Sequence, residues 1–136
     1  MPIVGFGFDK INIEKKEQFT KEDKINNNIR VESLKEFKIK TSDKEESDAI
    51  LMTFEFGLDY GKAGNLELKG HIIFYDNEEK VKELLESWTK NKKLPPDFGT
   101  YIFNFIMLKS NVKALELEEE VGLPLHLKLP RFKIKA

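Results

Sequence analysis

The sequence contains no cysteine and two histidines, so any chemistry must come from imidazole, carboxylate, hydroxyl or amine groups. His71 falls on the polar parity of an alternating stretch and His126 stands between leucines near the C-terminal end. Neither has a partner at the sequence spacing of a metal site or a catalytic triad. The missing thiols exclude disulfides, thiolate metal sites and cysteine nucleophiles together. Asp9, Asp59 and Asp76 share no motif that would unite them as a carboxylate set. Gly5-Phe6-Gly7 lacks the third glycine and following helix of a dinucleotide loop, and no phosphate loop, HExxH helix or serine elbow occurs. With no converging constellation, the expectation is a protein that is not an enzyme and holds no metal or cofactor.

Apolar side chains are the remaining candidates for function. Phe6, Phe8, Phe98, Tyr101 and Met107 offer large, adaptable contact area with few directional demands, the chemistry of a surface that binds many sequences. Packing in the core is the competing reading for each of them, as it is for most aromatic stripes.

The elements that must position these residues follow from periodicity. Between Ala49 and Asp76, Ile50, Met52, Phe54, Phe56, Leu58 and Tyr60 occupy even positions, and the alternation resumes at Leu66, Leu68, Ile72 and Phe74 after Gly61-Lys62-Ala63-Gly64-Asn65. This is an antiparallel hairpin with one apolar face, and the helices that could cover it lie downstream. Upstream, residues 3 to 13 alternate Val4, Phe6 and Phe8 against Gly5 and Gly7 as a first strand, with one face stripped of side chains. Residues 14 to 24 read as a charged connection carrying an exposed Phe19. Ile29, Val31, Phe37 and Ile39 then make a second strand, with Leu34 on the wrong parity and hence a bulge near Ser33 or Leu34. The first 76 residues thus predict a four-stranded antiparallel meander.

Asp76 and Glu79 have the form of a capping box for a helix bearing Val81, Leu84, Leu85 and Trp88, closed by Lys90, Lys92 and Lys93 and stopped at Leu94-Pro95-Pro96. Asp97 would cap a second helix running to about Glu119, with Phe98, Tyr101, Ile102, Phe105, Ile106, Val112 and Leu115 at helical spacing. Phe103, Met107 and Leu108 spread the apolar surface around its first half, which predicts burial by the sheet and by another subunit. Gly122 suits the position after the helix, and Leu123, Leu125, Leu127 and Leu129 give the tail one leucine face that straps back over the body. The fold class is α+β, the sheet followed by two helices packed on one of its faces.

Composition bounds the function. A chain of 136 residues with 40% hydrophobic residues can form one domain with a real core. Its 35% charged residues nearly balance, leaving a formal net charge of -1, and Arg30 and Arg131 are its only arginines. Neither feature suits nucleic acid or an anionic membrane. No apolar run approaches the roughly 18 residues of a membrane span, and the N-terminus lacks a basic segment followed by an apolar core, so a soluble, cytoplasmic protein is expected.

The order of elements, with Tyr101 to Asn111 (YIFNFIMLKSN) in the main helix and Gly122 to Phe132 (GLPLHLKLPRF) in the tail, resembles the SecB-like chaperones. The resemblance implies a homotetramer, a dimer of dimers, that holds unfolded or preprotein chains in surface grooves without ATP, in protein transport or in control of a toxin–antitoxin pair. Export members of that family dock the SecA motor on an acidic sheet face. Here the face offers Glu55, Asp59 and Glu67 diluted by Lys69 and His71, which puts SecA docking in doubt. Two other readings fit the same elements: a scaffold for one dedicated partner, and a hot-dog or helix-grip cup for a small molecule.

Overall fold

The computed structural model describes residues 3–40 and 46–128. Four strands, β1 (Ile3–Lys15), β2 (Asn26–Lys40), β3 (Glu46–Asp59) and β4 (Gly64–Tyr75), form one antiparallel sheet, and helices α1 (Glu78–Asn91) and α2 (Pro96–Val121) follow. Both helices pack on the same face. The even-numbered side chains of β3 and β4 are buried there: Ile50, Met52, Phe54, Ile72 and Phe74 with Val81 and Leu84 of α1 and Ile102 and Ile106 of α2, and Phe56, Leu58, Leu66 and Leu68 with Ala114 of α2 and Leu123. Their burial is what the period of two requires once a helical layer covers one face.

The strand order is β1-β4-β3-β2. Strands β2, β3 and β4 meander as the alternation predicts, but β1 crosses to the far side and pairs with β4, a Greek-key arrangement in place of a four-strand meander. The reason lies in the connection of residues 16 to 25, which does not turn back tightly. It anchors on the turn between β3 and β4: the backbone N–H of Lys16 donates to the Ala63 carbonyl at 2.7 Å. Phe19, expected to be exposed, is half-buried against a second apolar cluster of Phe56, Leu58, Tyr60, Leu66 and Leu68. Gly70 permits the new pairing. A Cβ there would lie 2.6 Å from the Gly7 carbonyl oxygen and 2.6 Å from the Phe54 ring.

The bulge in β2 falls between Val31 and Ser33, where the register against β3 shifts. Its consequence reaches further than parity counting implies. Leu34 turns inward opposite Met52, while Phe37 pairs with Ala49 and joins Leu51, Ile73 and Tyr75 on the outer face.

Three local expectations shift by a residue or two. Asn77, not Asp76, caps α1, its side chain accepting the Lys80 N–H at 2.9 Å. Helix α2 starts at Pro96 with Pro95 before it, so Asp97 sits inside the first turn. Proline at a first helical position loses no intrahelical bond. The helix ends at Val121, and Gly122 follows in the left-handed conformation (φ 80°).

Beyond it, Leu123 is buried but Leu125 and Leu127 are exposed, so the tail is not fastened by a leucine face; Leu129, Arg131 and Phe132 lie outside the described residues. His126 faces inward in their place, its side chain 3% exposed.

Candidate functional site

Helix α2, 26 residues long, seats Gly99, Ile102, Ile106, Ser110, Ala114 and Glu118 on the sheet, a stripe of three- and four-residue steps. Because one helix is narrower than the sheet beneath it, an apolar groove opens beside it toward each sheet edge. Toward β2 the groove has a volume of about 690 Å³ and an apolar lining of Ile29, Val31, Trp88, Leu94 and Phe103. Toward β1 a second groove of about 660 Å³ is lined by Ile3, Gly5, Phe6, Tyr101, Phe105 and Lys109. Among the described residues, each lies next to a strand that has a hydrogen-bonded neighbour on one side only.

Two of the five candidate binding residues meet in the second groove. Phe6 is its floor, stacked on Phe54 with ring centres 5.8 Å apart and edge-on to Phe105 at 5.5 Å, and Tyr101 is its wall at 49% exposure. The other three pack against the core. Phe8 lies edge-on to Phe6 and Phe54, Phe98 sits on Phe74 at 5.1 Å, and Met107 joins the second cluster, because both helical positions flank the stripe that faces the sheet. The β2-side groove escaped sequence reasoning altogether. Trp88 was visible as the last apolar residue of α1, but its neighbour Val31 belongs to a strand whose edge position depends on the unforeseen strand order.

The histidines acquire partners that sequence spacing does not reveal. His71 Nδ1 lies 2.9 Å from both carboxylate oxygens of Asp9 on the outer face. His126 closes a buried chain of four side chains: its Nδ1 is 2.8 Å from Glu118 Oε1, its Nε2 is 2.8 Å from Asn111 Oδ1, and Tyr60 donates its hydroxyl to Glu118 Oε2 at 2.5 Å. The His126 backbone N–H also donates to Glu118 Oε1, at 3.3 Å. Burial, and then the Glu118 carboxylate, push the Tyr60 hydroxyl pKa well above its ordinary value. Glu118 is fully buried, and the four side chains together clasp the tail to α2. A glutamate at the end of the buried stripe 106-110-114-118 was the available signal.

The aspartates do different jobs. Asp9 holds His71, Asp59 accepts the Gly61 N–H at 2.9 Å, and Asp76 accepts the Asn77 N–H at 2.7 Å. No three His, Asp or Glu residues among those described are grouped as metal ligands. On the outer face Arg30 pairs with Glu55 at 2.8 Å and holds its carboxyl below the usual range, while Lys10 and Lys69 flank Glu67. No helix among the described residues is long and apolar enough to cross a membrane.

No family model matches the sequence, and no curated protein does. Among solved structures, a SecB-like chaperone from Mycobacterium tuberculosis, Rv1957, in complex with a ChAD peptide from the Rv1956 HigA1 antitoxin, matches with a TM-score of 0.51. The alignment covers 99% of this chain and 92% of that one. The fold is SecB-like. At 8% identity the likeness concerns the SecB-like fold alone, and the groove-lining residues are read from this chain's own geometry.

Proposed function

We propose that this protein is an ATP-independent holdase chaperone that binds unfolded or preprotein chains in the two apolar grooves flanking α2. The observation that carries the reading is the pairing of an open apolar groove with a strand edge that no described strand covers, on each side of the helix. An extended chain can use the edge for backbone hydrogen bonds and the groove for alternate side chains, which suits many sequences. Clients are unfolded polypeptides, and no cofactor, metal or catalytic step is assigned. Cytoplasmic residence fits the absence of cysteine.

Assembly belongs to the same proposal. On the side of α2 away from the sheet, Leu108, Val112 and Leu115 recur at steps of four and three, with Leu108 62% and Val112 60% exposed. That is the repeat of a helix seam, and we assign it to a homo-oligomer, a dimer of dimers. The neutralised carboxylates of the outer face argue against docking of SecA.

A second reading, a scaffold for one dedicated partner, is favoured by a single observation: the M. tuberculosis neighbour is bound to a peptide from an antitoxin. The small-molecule cup fits less well, since the grooves lie open beside α2 rather than enclosed beneath it. Light scattering from a chemically unfolded client diluted into buffer without nucleotide tests the holdase. Suppression that saturates near one client per oligomer supports it, and unchanged aggregation at excess protein refutes it. Binding confined to one protein would establish the scaffold.

A further inference from the structure

The charge around the two grooves has one sign. In the β2-side groove Lys92 and Lys93 stand among the lining residues, and no carboxylate does. Arg30 borders it through its backbone, because alternation along β2 turns the guanidinium to the outer face and onto Glu55. In the β1-side groove the charged residue is Lys109, again without a carboxylate. The chain carries 23 basic and 24 acidic residues, so lysines without carboxylates at both grooves depart from its overall balance. The cleft beside the tail, by contrast, is bordered by Glu118 and Glu119.

Placement adds a second observation. The Nζ of Lys92 lies 5.6 Å from the centre of the Trp88 ring, and that of Lys109 lies 5.8 Å from the centre of the Phe105 ring. Each ammonium is held over an aromatic wall of its groove, at the edge of the apolar floor. Lys92 is moreover the non-glycine residue among those described with a positive φ, 55°, at the C-cap of α1. Glycine adopts that conformation without steric cost, whereas a lysine there bears strain and sets an ammonium beside the groove.

We propose that the two grooves select extended apolar segments that carry an acidic residue next to the apolar anchor, with Lys92 and Lys109 setting the preference. The inference rests on the grooves being client sites. An apolar side chain seated in either groove excludes water around it, so a flanking carboxylate meets the ammonium in a medium of lowered dielectric. A flanking lysine meets a like charge instead and is disfavoured. The preference is thus a matter of which segments of an unfolded chain are held, and at what ionic strength.

Calorimetric titration of three synthetic peptides decides it, each with the same extended apolar core and with Glu, Gln or Lys at the flanks. The expected order of affinity is Glu, then Gln, then Lys, with about fivefold per step, the scale of a partly exposed charge pair. Raising the salt from about 20 mM to about 500 mM should narrow the spread, since exposed charges are screened. The double variant Lys92→Gly with Lys109→Gln should bring the three affinities together, because no ammonium is left to tell the flanks apart. Lys92→Gly alone should keep or raise Tm, because glycine relieves the left-handed cap, which separates lost selectivity from misfolding. Equal affinities for the three peptides, with the Gln peptide still bound, overturn the charge preference and leave the client grooves standing. Failure of all three to bind overturns the grooves as client sites, and this inference with them.

Discussion

Replacing His126 by alanine removes the keystone of the buried chain that joins the tail to α2. The imidazole sits between Glu118 Oε1 at 2.8 Å and Asn111 Oδ1 at 2.8 Å, and its ring lies 6.4 Å from the centre of Phe56. His126→Ala therefore strands a fully buried Glu118 with Tyr60 as its remaining side-chain donor. Breaking a buried pair from one side costs about 3 to 5 kcal/mol, because the desolvation of the surviving group is no longer offset. We take the lower end, about 3 kcal/mol, since Tyr60 still donates, and expect Tm to fall by about 10 °C in a domain of this size. Urea unfolding followed by Trp88 emission and by circular dichroism measures it. Two companion variants sharpen the logic: Glu118→Leu alone should cost a similar amount, and Glu118→Leu with His126→Leu should cost less than the two single changes summed, since a joint apolar replacement leaves neither group stranded. A His126→Ala protein within about 0.5 kcal/mol of the parent, the range of ordinary surface changes, would refute the clasp.

Alkaline pH should loosen the same cluster: the raised Tyr60 pKa means the folded state holds the phenolic proton more tightly, so its contribution is complete below about pH 10 and is lost as pH rises beyond. Urea midpoints between about pH 9 and 11 should show a decline that Tyr60→Phe reduces. Gly70→Ala should destabilise by more than about 2 kcal/mol, because the new methyl meets the Gly7 carbonyl and the Phe54 ring at 2.6 Å, and thermal melts would show it. Leu108→Asp should leave the melting curve of the protomer nearly intact while lowering the mass in solution, measured by scattering after size exclusion; an unchanged mass would mean that α2 is not the oligomer seam. Phe98→Asp, by contrast, should unfold the protein rather than dissociate it, since Phe98 packs on Phe74.

The fold was legible wherever a side-chain period meets a single covering layer. Ile50 to Tyr60 announced a half-buried strand because the helices lie over one face and solvent over the other, and Gly122 announced the end of α2 because few other residues adopt its φ cheaply. Strand order was not legible. Local alternation says which face a strand buries but not which neighbour it takes, and the pairing of β1 with β4 depends on the space above Gly70 and on the grip of Lys16 on Ala63. The grooves were half legible for the same reason. Phe6 and Tyr101 could be named from their types, whereas Trp88, Val31 and Phe103 become one surface only after the strands are ordered. The clasp was hidden by distance, since Tyr60 and Glu118 stand 58 residues apart. His126 looked like a polar interruption in a leucine face because the tail reverses its parity after Leu123.

Trp88 is the chain's one tryptophan and lines the β2-side groove, so it reports directly on whether clients sit there. The decisive measurement is its emission during titration with an unfolded client that has no tryptophan, with the same client folded as control. A saturable blue shift for the unfolded client and none for the folded one is the result expected of a groove that closes over an extended chain. Suppressed aggregation with an unmoved Trp88 spectrum would place client holding elsewhere on the protein and contradict the account.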